Sequence, residues 1–249
     1  MSEKKELAAQ GFNDGARYDA ARPSYPDEAI EYFVATFALD DRSRVLDLGA
    51  GTGIFSRQLI PHVGRLIAVD PSASMREAFR AAAPKVEVLD GSDVNIPLET
   101  ASVDAVFVAQ AFHWFDAPLA LSEIHRVLRP GGGLGLIWNE RDESVNWVHE
   151  LTRAMQWDTR APYLVGTDHS LVIAQGPFVD VRRVKFQTAQ TLTHQGLTQR
   201  VLTTSYIAAM SDEERRRTMD VVATVIEQLP DPVELPYVTD VYSARASTP

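Results

Sequence analysis

One seven-residue turn, Asp47-Leu48-Gly49-Ala50-Gly51-Thr52-Gly53, constrains this chain more than any other feature. A short apolar run, Arg44 to Leu48, leads into it, and Phe55 to Ile60 reads as helix as far as Pro61. Glycines in a strand-to-helix turn permit backbone angles closed to other residues and let a ligand approach the main chain. A second apolar strand, Leu66 to Val69, ends on Asp70, nineteen residues after Gly51. In an open α/β sheet that carboxylate stands at the switch-point crevice, where it can accept hydrogen bonds from ribose hydroxyls.

The rest of the first half keeps the same alternation. Pro26-Asp27 opens a helix with Ile30, Phe33, Val34 and Phe37 on one face. Ser74 and Glu77 have capping-box spacing for a helix that stops before Pro84. Val86 to Leu89 and Val103 to Ala109 read as strands three and four. Asp116 caps a helix bearing Leu121, Ile124, Val127 and Leu128, which Pro130 and Gly131-Gly132-Gly133 end, and Leu134 to Trp138 is strand five. Strands alternating with helices predict a parallel sheet covered on both faces. After Asn139, residues 140–176 and 190–228 read as helical insertions, and strands at 179–188 and 236–245 are expected to pair as an antiparallel edge.

The glycine spacing separates two classes of ligand. A dinucleotide fingerprint reads G-x-G-x-x-G, with a pyrophosphate on the helix N-terminus. Here the third glycine arrives one position early, at Gly53, and Ile54 stands where glycine belongs; no Gly-Lys-Ser/Thr follows. Asp47 would repel a pyrophosphate but suits a ligand carrying an ammonium and a sulfonium. That electrostatic preference points to S-adenosylmethionine. The plain alternative is a tight turn with no ligand.

Composition narrows the partners. Thirty-four acidic against 24 basic residues leave a formal charge of −10, whereas a backbone-tracking nucleic-acid binder carries a basic surplus. The one basic run, Glu213 to Arg217, is the alternating face of an exposed helix. No cysteine is present, so thiolate metal sites and cysteine nucleophiles are excluded, and no metal is expected. The start, MSEKKELAAQ, lacks an apolar signal core, and Val103 to Phe115 is too short and too interrupted to span a bilayer. A cytoplasmic protein acting on a small molecule, with neither membrane nor nucleic acid as partner, is the expectation.

Taken together, the chain resembles the class I S-adenosylmethionine-dependent methyltransferases, and within them the small-molecule branch that includes trans-aconitate methyltransferase-like proteins. The stretches that carry the resemblance are Tyr18 to Pro26, Val45 to Gly53, Val69 to Ser72, Gly91 to Pro97, Gln110 to Phe115 and Glu123 to Gly132, with a looser fit at Leu235 to Ala244. It implies a doubly wound, mostly parallel seven-stranded Rossmann-like sheet with an antiparallel edge strand and helical insertions forming a cap. One methyltransferase domain, 1–249, then has its core at about 27–139, 178–188 and 235–246. Lid and cap segments fall at about 1–26, 140–177 and 189–234.

Site roles follow from the resemblance. Gly49, Ala50, Gly51, Thr52 and Gly53 would pass under the methionine part of S-adenosylmethionine, with Asp47 near its amino group. Asp70 would hold the ribose, and Pro71, Ser72 and Met75 would border the adenine. Relatives often carry an acidic side chain followed by Ala-Glu after strand three; this chain has Ser92-Asp93-Val94, with Asp93 the candidate adenine contact. Gln110 and Ala111 would flank the methionine and the reacting sulfur. Tyr18 and Arg22 would form an N-terminal lid whose hydroxyl and guanidinium reach the cofactor carboxylate, or Arg22 only ties the segment to the sheet.

Methyl transfer from a sulfonium is an in-line displacement in which the protein supplies orientation and a dry site. S-adenosylhomocysteine is the coproduct, and no protein nucleophile is needed. A carboxylate acceptor needs no base, whereas a phenol, alcohol or ammonium must lose a proton. His113, at a strand end before Trp114 and Phe115, is the candidate base, or a hydrogen-bond partner of the cofactor or a loop. Trp114, Trp138, Asn139, Arg141, Trp147 and Tyr206 are candidates to line an acceptor pocket, with Arg141 or Arg160 clamping an acceptor carboxylate. Their alternative role is packing. Two rival functions stay open: a nicotinamide-dependent oxidoreductase or epimerase, disfavoured by the glycine spacing and the lack of a Tyr-x-x-x-Lys pair, and a non-catalytic cofactor-binding protein.

Overall fold

The computed structural model describes residues 19, 21–156 and 168–248. Seven strands form one sheet: β1 (Arg44–Leu48), β2 (Arg65–Val69), β3 (Glu87–Leu89), β4 (Val103–Ala109), β5 (Leu128–Arg141), β6 (Phe178–Leu192) and β7 (Val233–Ala246). Their order is β3-β2-β1-β4-β5-β7-β6. β1 pairs in parallel with both β2 and β4, and the parallel pairing continues to β3 on one side and β5 on the other. The order reverses at β1, so the carboxyl ends of β1, β2 and β4 frame the crevice where ligands of open α/β sheets lie.

β7 runs against its neighbours. Thr239 meets Asn139 while Pro236 accepts from the Asp142 backbone N–H, so β7 ascends as β5 descends. Likewise Arg183 meets Asp240 and Gln190 meets Tyr237 across β6 and β7. The antiparallel pair expected at this edge is present, with six parallel strands and one antiparallel.

Described helices are α1 (Asp27–Phe37), α2 (Ile54–Leu59), α3 (Ala73–Ala82), α4 (Ala117–Val127), α5 (Asn146–Ala154), α6 (His169–Ile173), α7 (His194–Leu202), α8 (Ser205–Ala208) and α9 (Asp212–Ile226). Asp116 accepts from the Leu119 N–H and caps α4, and Ser211 and Glu214 form a reciprocal capping box at α9. α3 is capped differently from the expectation. Its first residue is Ala73, and Ser72 Oγ accepts from the Met75 N–H, so Ser74 lies already inside the helix. Glycines 131–133 also do more than stop a helix. α4 ends at Val127, before Pro130, and β5 begins at once; a Cβ on Gly133 would sit 2.4 Å from the Phe37 ring, so the missing side chain lets that ring lie on the strand.

The chain packs as two compact units, and it crosses between them within β6, within β7 and near the end of β5. The first holds 24–139, 168–186 and the described part of 239–249. Its strands alternate faces as the period of two requires. Leu46, Leu48, Val106, Val108, Leu134 and Leu136 meet α4 through Leu121, Ile124 and Val127. Val45, Ala105, Phe107 and Ile137 face the other way, onto Ile30, Phe33 and Phe37 of α1, Phe55 of α2 and Phe79 of α3. The second unit holds 187–238 and the described parts of 1–23 and 140–167. Its core joins Val148 and Leu151 of α5, Leu197 and Val201 of α7, Val222 and Ile226 of α9, and Leu235 and Tyr237 of β7. Among the described residues no helix is long and apolar enough to cross a membrane.

Candidate functional site

β1 delivers the chain into a turn that only glycine accommodates comfortably: Gly49, Gly51 and Gly53 have φ of +73°, +56° and +84°. The backbone N–H groups of Gly49 and Ala50 donate to Val69 O, tying the turn to the end of β2. The three glycines differ in what surrounds them. A Cβ on Gly49 would meet Ala111 Cβ at 2.8 Å, and one on Gly53 would meet the Phe79 ring at 2.7 Å. Both are therefore packed against protein. Among the described residues a Cβ on Gly51 would meet nothing within 4 Å, so of the three glycines Gly51 is where they leave the main chain open. Ala50 packs against the α1 side of the core, and Thr52 is buried, its carbonyl accepting from the Arg57 guanidinium.

Two buried carboxylates stand at this turn. Asp47, in β1, is fully buried; its Oδ2 accepts from Ser56 Oγ at 2.6 Å, and among the described residues its Oδ1 has no hydrogen-bond partner. Burial pushes its carboxyl up to about 7; the Ser56 bond opposes that shift and the Asp70 charge adds to it. Asp70, 7% exposed just after β2, accepts from the Gly51 N–H and the Ser72 N–H, each at 2.8 Å. Burial raises this acid too, against the pull of those two N–H groups. The orphaned Asp47 oxygen, the paired negative charges and the open face at Gly51 suit a cation-bearing ligand. They do not suit a diphosphate. An ammonium and ribose of S-adenosylmethionine fit these donors and acceptors.

Ser72 caps α3 and Met75 is buried in the first turn of that helix, while Pro71 is exposed. Arg76, which the sequence did not single out, donates to Asp70 O and to Asp90 and fixes the β2–α3 corner. After β3, Ser92 and Asn95 exchange backbone hydrogen bonds, and Asp93 and Val94 form the tip. Val94 is exposed. Asp93 is buried, and its Oδ2 accepts from the Asp116 N–H, so one of its oxygens already anchors α4.

At the end of β4, Gln110 takes φ +54°, a conformation that costs a non-glycine residue about 1 kcal/mol. Its backbone N–H donates to Ile137 O and its side chain to Asn139 O, which hold it there. Ala111 packs on Gly49. His113 Nδ1 accepts from Trp138 Nε1 at 3.4 Å, and its ring lies 4.7 Å from that of the half-buried Trp114. Trp138 is buried in the core, stacked on His169 at 4.1 Å. Asn139 is buried as well; it donates to Ser24 O and accepts from Thr239. Trp138 and Asn139 thus hold the sheet and its N-terminal approach together.

The remaining acceptor candidates belong to the second unit. Arg141 Nε donates to Thr152 Oγ1, and burial, then the neighbouring Arg200, hold its guanidinium below the usual arginine range. Tyr206 is buried and donates to Met155 O; Trp147 packs on the helical core. Arg22 donates to Thr203 O at the end of α7, a helix of this unit, so this bond is not the tie to the sheet expected of it. Tyr18 and Arg160 lie outside the described residues.

With this geometry in view, the comparisons are direct. The family described as methyltransferase domain matches residues 46–136, the span from β1 through β5. An uncharacterized methyltransferase of Mycobacterium tuberculosis is 40% identical over 231 residues, covering 89% of each chain. An uncharacterized methyltransferase-like protein of Schizosaccharomyces pombe is 35% identical over 239 residues, covering 93% of each. A solved type II methyltransferase from Anaeromyxobacter dehalogenans shares the fold, with a TM-score of 0.70 at 21% identity over 92% of this chain and 99% of that one. The protein is an enzyme on the Rossmann-like methyltransferase fold. It belongs to the S-adenosylmethionine-dependent methyltransferase family.

Proposed function

We propose that this chain transfers a methyl group from S-adenosylmethionine to a small molecule, with a carboxylate oxygen as the acceptor atom. The observation that carries the cofactor half is the pair of buried carboxylates, Asp47 and Asp70, set round the open face of Gly51. S-adenosylmethionine, when bound, supplies an electrophilic methyl on a positively charged sulfur. In this reading Asp70 accepts from the ribose hydroxyls, and Asp47 faces the ammonium through its free oxygen. Pro71, Ser72, Met75 and the Ser92-Asp93-Val94 tip border the adenine. Gln110 and Ala111 border the methionine.

The acceptor half rests on His113. With Nδ1 accepting from Trp138, the neutral ring carries its proton on Nε2 and its lone pair faces Trp138. Such a ring donates a hydrogen bond more readily than it removes a proton, which favours an acceptor that is already ionised. The acidic surface supports a small-molecule partner over nucleic acid, and a cytoplasmic setting belongs to the same reading. A single domain, with a cofactor-binding sheet and an acceptor-selecting helical part, completes it.

The test is a screen for S-adenosylhomocysteine release over organic acids, phenols and amines. Turnover with an organic acid, retained in His113→Ala to within about tenfold, is expected. Turnover confined to phenols or amines and abolished in His113→Ala would overturn the acceptor assignment.

A further inference from the structure

The helical unit gathers buried positive charge round one tyrosine. The β5–β7 register pairs Asn139 with Thr239 and Asp142 with Pro236, so Arg141 stands opposite Tyr237. From α7, Arg200 donates Nε to the Tyr237 hydroxyl at 3.1 Å, its guanidinium carbon 6.0 Å from the ring centre. The Tyr237 hydroxyl passes its own proton toward Gln190 Oε1 at 3.4 Å. Arg200 is 6% exposed, and among the described residues the Nε bond to Tyr237 is the one hydrogen bond of its guanidinium. The two terminal amino groups of the fork have no protein acceptor there.

Taking one guanidinium out of water is costly, and placing a second beside it adds repulsion. Among the described residues, the Arg200 charge adds to burial in holding the nearby Arg141 guanidinium below its usual range, and Glu143 opposes it. Packing alone gives no reason to retain such a pair, since an apolar side chain at 200 would fill the gap between α7 and β7 without the cost. A planar fork with parallel N–H groups matches an oxyanion bidentately.

We propose that Arg200, backed by Arg141 and oriented by Tyr237, is an oxyanion-binding site that anchors a carboxylate or phosphate of a small acid. The site lies wholly within the helical unit, and it does not rest on the function proposed above.

The experiment is calorimetry and thermal unfolding of the full chain with succinate, inorganic phosphate and the neutral isostere succinamide, at constant ionic strength. Succinate or phosphate should bind and stabilise where succinamide does not, and the tighter of the two names the anion. Arg200→Met should weaken that binding about tenfold or more, and Arg200→Lys by less, because the charge survives and the fork is lost. Equal effects of the anions and succinamide on the wild-type chain overturn the proposal, even if Arg200→Met fails to fold. So does unchanged anion affinity in a folded Arg200→Met. S-adenosylhomocysteine titrated into the same samples reports on the cofactor separately, so failure of one reading is not mistaken for failure of the other.

Discussion

Buried charge of opposite sign marks two regions of this molecule. In the sheet unit, Asp47 and Asp70 crowd a glycine turn; burial raises both acids, and the Asp70 charge raises Asp47 further. In the helical unit, Arg141 and Arg200 flank Tyr237. Like charges in low dielectric repel and lose their hydration, so both arrangements carry a cost. The negative region suits a cation, and the positive region suits an anion.

The largest test of that contrast lies in the turn. Gly53→Ala forces a Cβ into the Phe79 ring at a positive φ and should cost about 2–4 kcal/mol of stability, read as a lower urea midpoint. Gly51→Ala, at φ +56° and with no described atom near the added Cβ, should cost only about 1 kcal/mol while still weakening cofactor binding. If Gly51→Ala bound S-adenosylhomocysteine as wild type does, the open face would not be the ligand's.

Next comes Asp70. Asp70→Ala should weaken S-adenosylhomocysteine binding by about 1–3 kcal/mol, measured by calorimetry, through lost ribose bonds and a loosened Gly51 and Ser72 backbone. Asp70→Asn keeps the shape and should lose less. An unchanged affinity in the alanine variant removes the ribose role.

Asp47 gives a pH dependence with a definite sign. Its carboxyl titrates near 7 because burial penalises the charge, and a cationic ligand favours the ionised form. Binding then expels a proton below pH 7. Affinity for S-adenosylmethionine should therefore climb as pH rises toward 7, by up to about tenfold per unit, and flatten above. For the free protein the direction reverses. The group is comfortable as the neutral acid, so stability falls as pH rises from the unfolded value of 3.8 through about 7. Asp47→Asn should consequently melt higher than wild type at pH 8, and the gap should close by pH 4. A gap independent of pH would mean that Asp47 is ionised throughout.

How much of this was readable beforehand follows the same divide. The crevice was legible because its parts are contiguous: strand, glycine turn, helix and the acid that ends the next strand fall within residues 44–72. Asp116 as a cap and the paired strands near 179–188 and 236–245 were legible from local pattern too. Ser74 as a cap was misread because Ser72, two residues earlier, offers an equally good oxygen and is the one the backbone meets. The role of Gly133 was hidden, since Phe37, which needs its missing side chain, lies almost a hundred residues away in the chain. Ser56 under Asp47 belongs to no motif spacing. The guanidinium pair was half seen: Arg141 was named, but Tyr237 becomes its neighbour only through the antiparallel register of β5 and β7, and Arg200 only through the bond from α7 to Tyr237. Trp138 and Asn139 were candidates for either acceptor lining or packing, and only the fold supplies the stacking on His169 and the bonds to Ser24 and Thr239.

The claim beneath everything is that the carboxyl edge of β1 and β2 accepts a positively charged sulfur nucleoside and rejects a diphosphate. Titrating S-adenosylhomocysteine and NAD separately into the full chain tests it most directly. Saturable binding of S-adenosylhomocysteine with no heat from NAD is the expected result; tight NAD binding with none for S-adenosylhomocysteine would contradict it.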